Sequence, residues 1–154
     1  MTPWHACRLE QSRVEMAASD LRIRGELAEL ARVNIWLEQQ AVALALDAET
    51  VFALDLCLEE VITNTVKYGM TREAAGGVTI DLSLETGAAG TTLRITDDAA
   101  PFNPLLAQDK VLPNTLDDAE VGGLGLHLIR RFTSALTYCG DGGRNCLTLQ
   151  FAPR

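Results

Sequence analysis

The spacing of apolar residues passes from a helical period to a period of two, back to helical, and once more to two. Few architectures accept a chain patterned in this way. From Ser19 the pattern reads as helical: Leu27, Leu30, Ala31, Leu37, Ala41 and Leu44 recur at three, four and six to seven, with Glu26, Glu29, Arg32 and Gln39 on the opposite face. Asp47 suits a helix N-cap, because its short carboxylate accepts from unpaired N–H groups, and Glu49 adds favourable charge in the first turn. That second helix is expected to run to Tyr68 and stop at Gly69. Beyond Gly76-Gly77, Val78, Ile80, Leu82 and Leu84 alternate with Thr79, Asp81, Ser83 and Glu85. The segment Thr86–Gly90 reads as a hairpin loop and Thr92–Thr96 as the returning strand. Helical period resumes at Leu124, Leu128, Ile129 and Phe132. Leu136–Cys139, a Gly140–Gly143 turn and Cys146–Phe151 then close a second hairpin. A short strand over Arg13–Ala18 completes the expected elements. The fold class that follows is α+β, a two-layer sandwich whose mixed, mainly antiparallel sheet is covered by helices on one face.

With 154 residues, 47% of them hydrophobic and 22% charged, the whole of 1–154 is expected to form one domain with a proper core. The formal charge of −8 sets a field that repels phosphate backbones and anionic lipid, so neither a nucleic-acid nor a membrane partner is expected. Cys7, Cys57, Cys139 and Cys146 include no C-x-x-C pair and read as thiols of a reducing compartment. No signal-peptide-like run opens the chain and no 18 uncharged apolar residues follow one another, so a cytoplasmic location is expected.

Three local patterns are able to carry chemistry. On a helix, Glu60, Asn64 and Lys67 form one stripe at i, i+4 and i+7, while Leu54, Leu58, Val61 and Ile62 face inward. A carboxamide oxygen is a hard ligand suited to Mg²⁺, and a neighbouring carboxylate can accept a hydroxyl proton. Taken alone, the stripe reads first as a solvated helix face. The second pattern is a strand that ends in Asp97-Asp98-Ala99-Ala100-Pro101-Phe102, placing a carboxylate where backbone can approach a flat ligand. Asp97 can accept from an exocyclic amine there, although an Asp at a strand end is otherwise a common turn former. The third is Gly122-Gly123-Leu124-Gly125-Leu126, in which glycines before a helix free its first N–H groups to meet an anion. It is also a glycine turn that permits tight packing. His127 reads as a packed or rim histidine, and Trp36 as core or partner surface.

In this order, Glu60-x-x-x-Asn64, Asp97-Asp98-Ala99-Ala100-Pro101-Phe102 and Gly123-Leu124-Gly125-Leu126 resemble the N, G1 and G2 boxes of the GHKL ATPases, the superfamily of gyrase and the histidine kinases. Within it the chain is most similar to the stand-alone anti-sigma factor serine kinases of bacterial partner-switching systems, over roughly residues 20–151. The resemblance implies a Bergerat-type sandwich holding ATP between the sheet and the N-box helix, with Pro104–Val121 as the ATP lid. It implies Glu60 as general base, Asn64 as the Mg²⁺ ligand and Asp97 as the acid that receives the adenine amino group. It further implies Lys67, Ala99, Phe102, Gly123, Leu124, Gly125 and Leu126 as nucleotide contacts. Ala99 stands where the first glycine box usually has Gly, so a crowded adenine pocket or a slightly different backbone is expected. Asn145 falls near a position where relatives often carry Thr, and its contact is left unassigned. The resemblance further implies transfer to a Ser or Thr of a STAS-domain antagonist, sequestration of a sigma factor or equivalent target, and a homodimer. Two alternatives stand beside it: a nucleotide-dependent partner-binding protein without transfer, and a detached histidine-kinase catalytic domain. The second has no acceptor histidine in place, since the chain has only His5 and His127.

Overall fold

The computed structural model describes residues 19–69, 77–106 and 124–153. The first strand, β1, is Ser19–Arg24, where helix was expected. Leu21 and Ile23 point to the core, Asp20, Arg22 and Arg24 point out, and Ile23 is placed opposite Ile80. Only two inward residues mark this strand, so the helical count that begins properly at Leu30 extends over it too easily. A 3-10 turn, Leu27–Glu29, leads into α1, Leu30–Ala43, which buries Val33, Trp36 and Leu37. Glu29, expected on the solvent face, is buried and bonded to Arg32 at 2.7 Å. The expected strand over Arg13–Ala18 lies outside the described residues.

Helix α2, Ala48–Gly69, starts and stops where the sequence places it. Asp47 Oδ1 accepts from the N–H groups of Glu49 and Thr50, and Asp47 Oδ2 accepts from the Thr50 hydroxyl at 2.6 Å. These bonds hold the Asp47 carboxyl below the usual carboxylate range, the Thr50 hydroxyl most of all. Strands β2 (Thr79–Gly87) and β3 (Gly90–Asp97) form a hairpin closed by Ala88-Ala89 alone. The turn is therefore tighter than the five-residue loop expected. Gly90 takes φ +105°, and a Cβ there would overlap the Phe151 carbonyl, so only glycine fits. After a 3-10 turn at Pro104–Leu106 come α3 (Leu124–Phe132), β4 (Ala135–Asp141) and β5 (Arg144–Phe151). Gly142 and Gly143, both at positive φ, make the β4–β5 turn.

The sheet order is β1-β2-β3-β5-β4, and every described pairing is antiparallel. Alternation along β2, β3 and β5 sends Ile80, Leu82, Leu84, Leu93, Ile95, Leu147 and Leu149 into a core shared with Leu54, Leu58 and Ile62 of α2. Helix α2 packs between α1 and α3. On the open face, Asp81 binds Arg22 at 2.6 Å and Arg144 at 2.7 Å, reaching the latter across β3. None of the described cysteines is in a disulfide, and burial pushes the Cys57 thiol up to about 12. No described helix is long and apolar enough to cross a membrane.

Candidate nucleotide-binding site

A cavity of about 270 Å³ lies where α2 and α3 meet the ends of β3, β4 and β5. Counting inward positions along β3 from Leu93 and Ile95 arrives at Asp97, and counting back along β5 from Leu149 and Leu147 arrives at Asn145. The two are direct cross-strand partners, so strand register alone brings a carboxylate and a carboxamide together on the core face. Both are only 7% exposed. Asp97 Oδ1 accepts from Asn145 Nδ2 at 2.8 Å and from the Ala99 N–H at 3.0 Å, while Oδ2 has no partner among the described residues. Burial pushes the Asp97 carboxyl above the usual carboxylate range, and the bonds from Asn145 and Ala99 oppose that rise. Its neighbour Asp98 does different work. Asp98 faces out and accepts from the Thr79 N–H at 2.7 Å, extending the β2–β3 pairing by one step.

The backbone after Asp97 turns under α2. Ala99 is 3% exposed, and its methyl group lies against Gly69, where an added Cβ would stand 2.6 Å from it. The alanine in place of a glycine is thus accommodated by the glycine that ends α2, and the crowding expected at the pocket is taken up by the helix. Phe102 is exposed at the cavity rim, with its N–H donating to Asn145 Oδ1 at 3.1 Å.

On α2, Asn64 lines the cavity and donates from Nδ2 to Glu60 Oε1 at 2.8 Å, which leaves Asn64 Oδ1 without a partner among the described residues. Glu60 borders a second cavity of about 230 Å³ between α2 and α3. Gly125, in the first turn of α3, faces it so closely that a Cβ would overlap the Glu60 carboxyl group. Leu126 reaches the main cavity, together with Ile129. Leu124 opens α3, whereas Gly123 lies outside the described residues, as does 107–121 of the expected lid. Lys67 is exposed near the end of α2 and borders neither cavity, and His127 is likewise exposed.

Sequence reasoning passed over Tyr138, whose hydroxyl donates to Asn145 Oδ1 at 2.7 Å, and Thr65, Tyr68, Leu136 and Leu147, which complete the walls. The role of Asn145 had a visible signal. It is the polar residue in phase with Leu147, Leu149 and Phe151, and a polar side chain on an inward register needs a partner.

The donor set suits a nucleotide with a metal. A mainly apolar cavity is lined by a carboxylate with one oxygen open to an amine, and by a helix-borne carboxamide oxygen without a partner among the described residues. No described group of three or more His, Cys, Asp or Glu is able to hold a metal ion by itself. A cation here would share its ligands with phosphates, as Mg²⁺ does. The fold and this cavity define a GHKL-like α+β ATPase domain. The chain belongs to the histidine kinase-like ATPase domain family, whose pattern matches residues 23–151 and implies ATP binding. The serine/threonine-protein kinase BtrW of Bordetella bronchiseptica is 37% identical over 114 residues, which are 74% of this chain and 79% of that protein. A crystal structure of RsbU and RsbW domains from Mycobacterium tuberculosis superposes with TM-score 0.57 at 12% identity, over 91% of this chain and 33% of that one. That likeness is one of fold, and the chain spans about a third of that structure's length. The histidine kinase AdeS of Acinetobacter baumannii gives TM-score 0.47 at 15% identity, over 96% of this chain and 72% of that one.

Proposed function

We propose that the protein is an ATP-dependent serine/threonine-protein kinase of the anti-sigma type. It phosphorylates a STAS-domain antagonist and, in the opposite state of the switch, sequesters a sigma factor or an equivalent target. One observation carries the reading. Glu60 and Asn64 are joined by a hydrogen bond on the helix that walls the cavity, and the same cavity is lined by the half-bound carboxylate of Asp97. The relationship to a serine/threonine-protein kinase supports it.

In this reading Asp97 Oδ2 accepts from the adenine amino group, and Ala99 and Phe102 line the base. Asn64 Oδ1 holds Mg²⁺, which when bound supplies charge neutralisation at the phosphates. Glu60 accepts the proton of the attacking Ser or Thr hydroxyl, a proton moved late in a loose transfer. Gly125 leaves the Glu60 carboxylate its place, because any larger residue there would displace it. The α3 N-terminus adds a favourable dipole for anionic oxygens.

The test is to incubate the full chain with Mg²⁺, radiolabelled ATP and a STAS-domain protein retrieved from the native cell by ATP-dependent pull-down, then map the phosphate. Phosphoserine or phosphothreonine on the STAS protein is the expected result. Retention of a partner with no label would establish the binding-only alternative, and phosphohistidine would establish the histidine-kinase one.

A further inference from the structure

We propose that Asn145 makes the cavity selective for a 6-amino over a 6-oxo purine, by fixing Asp97 with one carboxylate oxygen bound and the other offered to the ligand. The inference rests on the reading that Asp97 receives the purine amine, and it concerns a residue to which that reading gives no part.

The orientation of the Asn145 amide is determined by its surroundings. Its Oδ1 accepts from the Tyr138 hydroxyl at 2.7 Å and from the Phe102 N–H at 3.1 Å. Its Nδ2 donates to Asp97 Oδ1 at 2.8 Å, to the Ala100 carbonyl at 3.2 Å and to the Ala99 carbonyl at 3.4 Å. A flipped amide would set N–H groups against the Phe102 N–H, set its oxygen against a carboxylate and two carbonyls, and forfeit the charge-assisted bond to Asp97. Asn145 therefore presents a donor to Asp97 and does not interchange.

That donor and the Ala99 N–H both land on Oδ1. The carboxylate is thereby held in one rotamer, and Oδ2, without a partner among the described residues, is the oxygen available to a ligand. A 6-amino group donates to it. A 6-oxo group presents an acceptor to an acceptor beside a carboxylate that is only 7% exposed, and the mismatch is costly because a buried acceptor is left without a donor. Asn145 also counters the effect of burial, which on its own favours the protonated acid. A protonated Asp97 would donate, and a 6-oxo purine would then be welcome. Both effects depend on the same N–H, so selectivity passes through Asn145 although Asn145 need not touch the base. It is a positioning residue.

The experiment measures the affinities of ATP and inosine triphosphate, which differ at the 6 position, for the full chain and its variants by calorimetry with Mg²⁺. Wild type should prefer ATP by about tenfold or more. Asn145→Asp keeps the shape and removes the donor, so the preference should fall at least about tenfold. Asn145→Thr keeps a donor and should hold the ratio within about threefold. Tyr138→Phe, at the partly buried edge of the network, should lower the ratio about twofold to fivefold, and carries the test if Asn145→Asp does not fold. A residue with a merely structural role would weaken both nucleotides in parallel, so an unchanged ratio in Asn145→Asp and Tyr138→Phe overturns the inference. A wild type that binds ATP without preferring it overturns the reading of Asp97 itself.

Discussion

Two parts of the site are held together by different means. Asp97 and Asn145 come from neighbouring strands, are placed by register, and are tied to Tyr138, Ala99, Ala100 and Phe102 through bonds that leave one acceptor open. Glu60 and Asn64, by contrast, come from a single helix, one turn apart, and are bonded to each other. Recognition of a rigid base benefits from groups that cannot move. In the proposed reading, Glu60 and Asn64 would release one another when substrate and cation arrive. The contrast is between a buried pair held by several bonds and a pair held only to itself among the described residues.

The sharpest way to test the division is at Glu60. Glu60→Gln keeps the acceptor for Asn64 and removes the proposed base, so transfer to the partner should fall about 10²–10⁴-fold while ATP affinity stays within about threefold. Phosphate incorporation and calorimetry on the same preparation separate the two readouts. Wild-type transfer by this variant would sink the proposed chemistry.

At the register-held pair, Asp97→Asn should weaken ATP by about tenfold to a hundredfold, the scale of one charge-assisted hydrogen bond. The same change should raise the thermal stability of the nucleotide-free protein near neutral pH. The carboxyl pKa is raised in the folded state, so the folded chain binds the proton more tightly than the unfolded one. Between the two pKa values stability falls as pH rises, and above both the cost is fully present. The gain from Asn should therefore be present at pH 7 and vanish below the unfolded carboxylate value of about 3.9. A melting curve for each protein at both pH values checks the sign.

A smaller effect is expected where helix meets pocket floor. Gly69→Ala places a methyl group against Ala99 and should cost about 1–3 kcal/mol of stability by denaturant titration. Combining it with Ala99→Gly should return most of that loss. Least affected is the open face: Asp81→Ala breaks bonds to two exposed arginines and should cost no more than about 1 kcal/mol, with nucleotide binding unchanged. The Asp81 carboxyl lies below its ordinary range because Arg22 and Arg144 bind it, so its small contribution exists at neutral pH and is lost as pH falls through the folded value.

The same contrast governs what was legible beforehand. Helix α2 announces itself, since Asp47, the inward Leu54, Leu58 and Ile62, and the terminal Gly69 all agree with one period. Glu60 and Asn64 follow from that helix because their spacing alone puts them on one face. Asp97 is separable from Asp98 by counting alternate residues from Leu93. Asn145 is harder, because its meaning depends on a register between β3 and β5 that joins residues 48 positions apart. Strand β1 escapes for want of apolar residues, and the burial of Glu29 depends on arginines from two elements, Arg24 and Arg32.

Positions 69 and 99 together have room for a single methyl group, and they behave as one site with two addresses. A relative with glycine at 99 is free to carry alanine at 69. One with alanine at both has to lift the end of the helix away from the strand, deepening the floor on which the base would rest. Pocket depth in such a lineage is therefore set as much from the last residue of a helix as from the motif at the strand end.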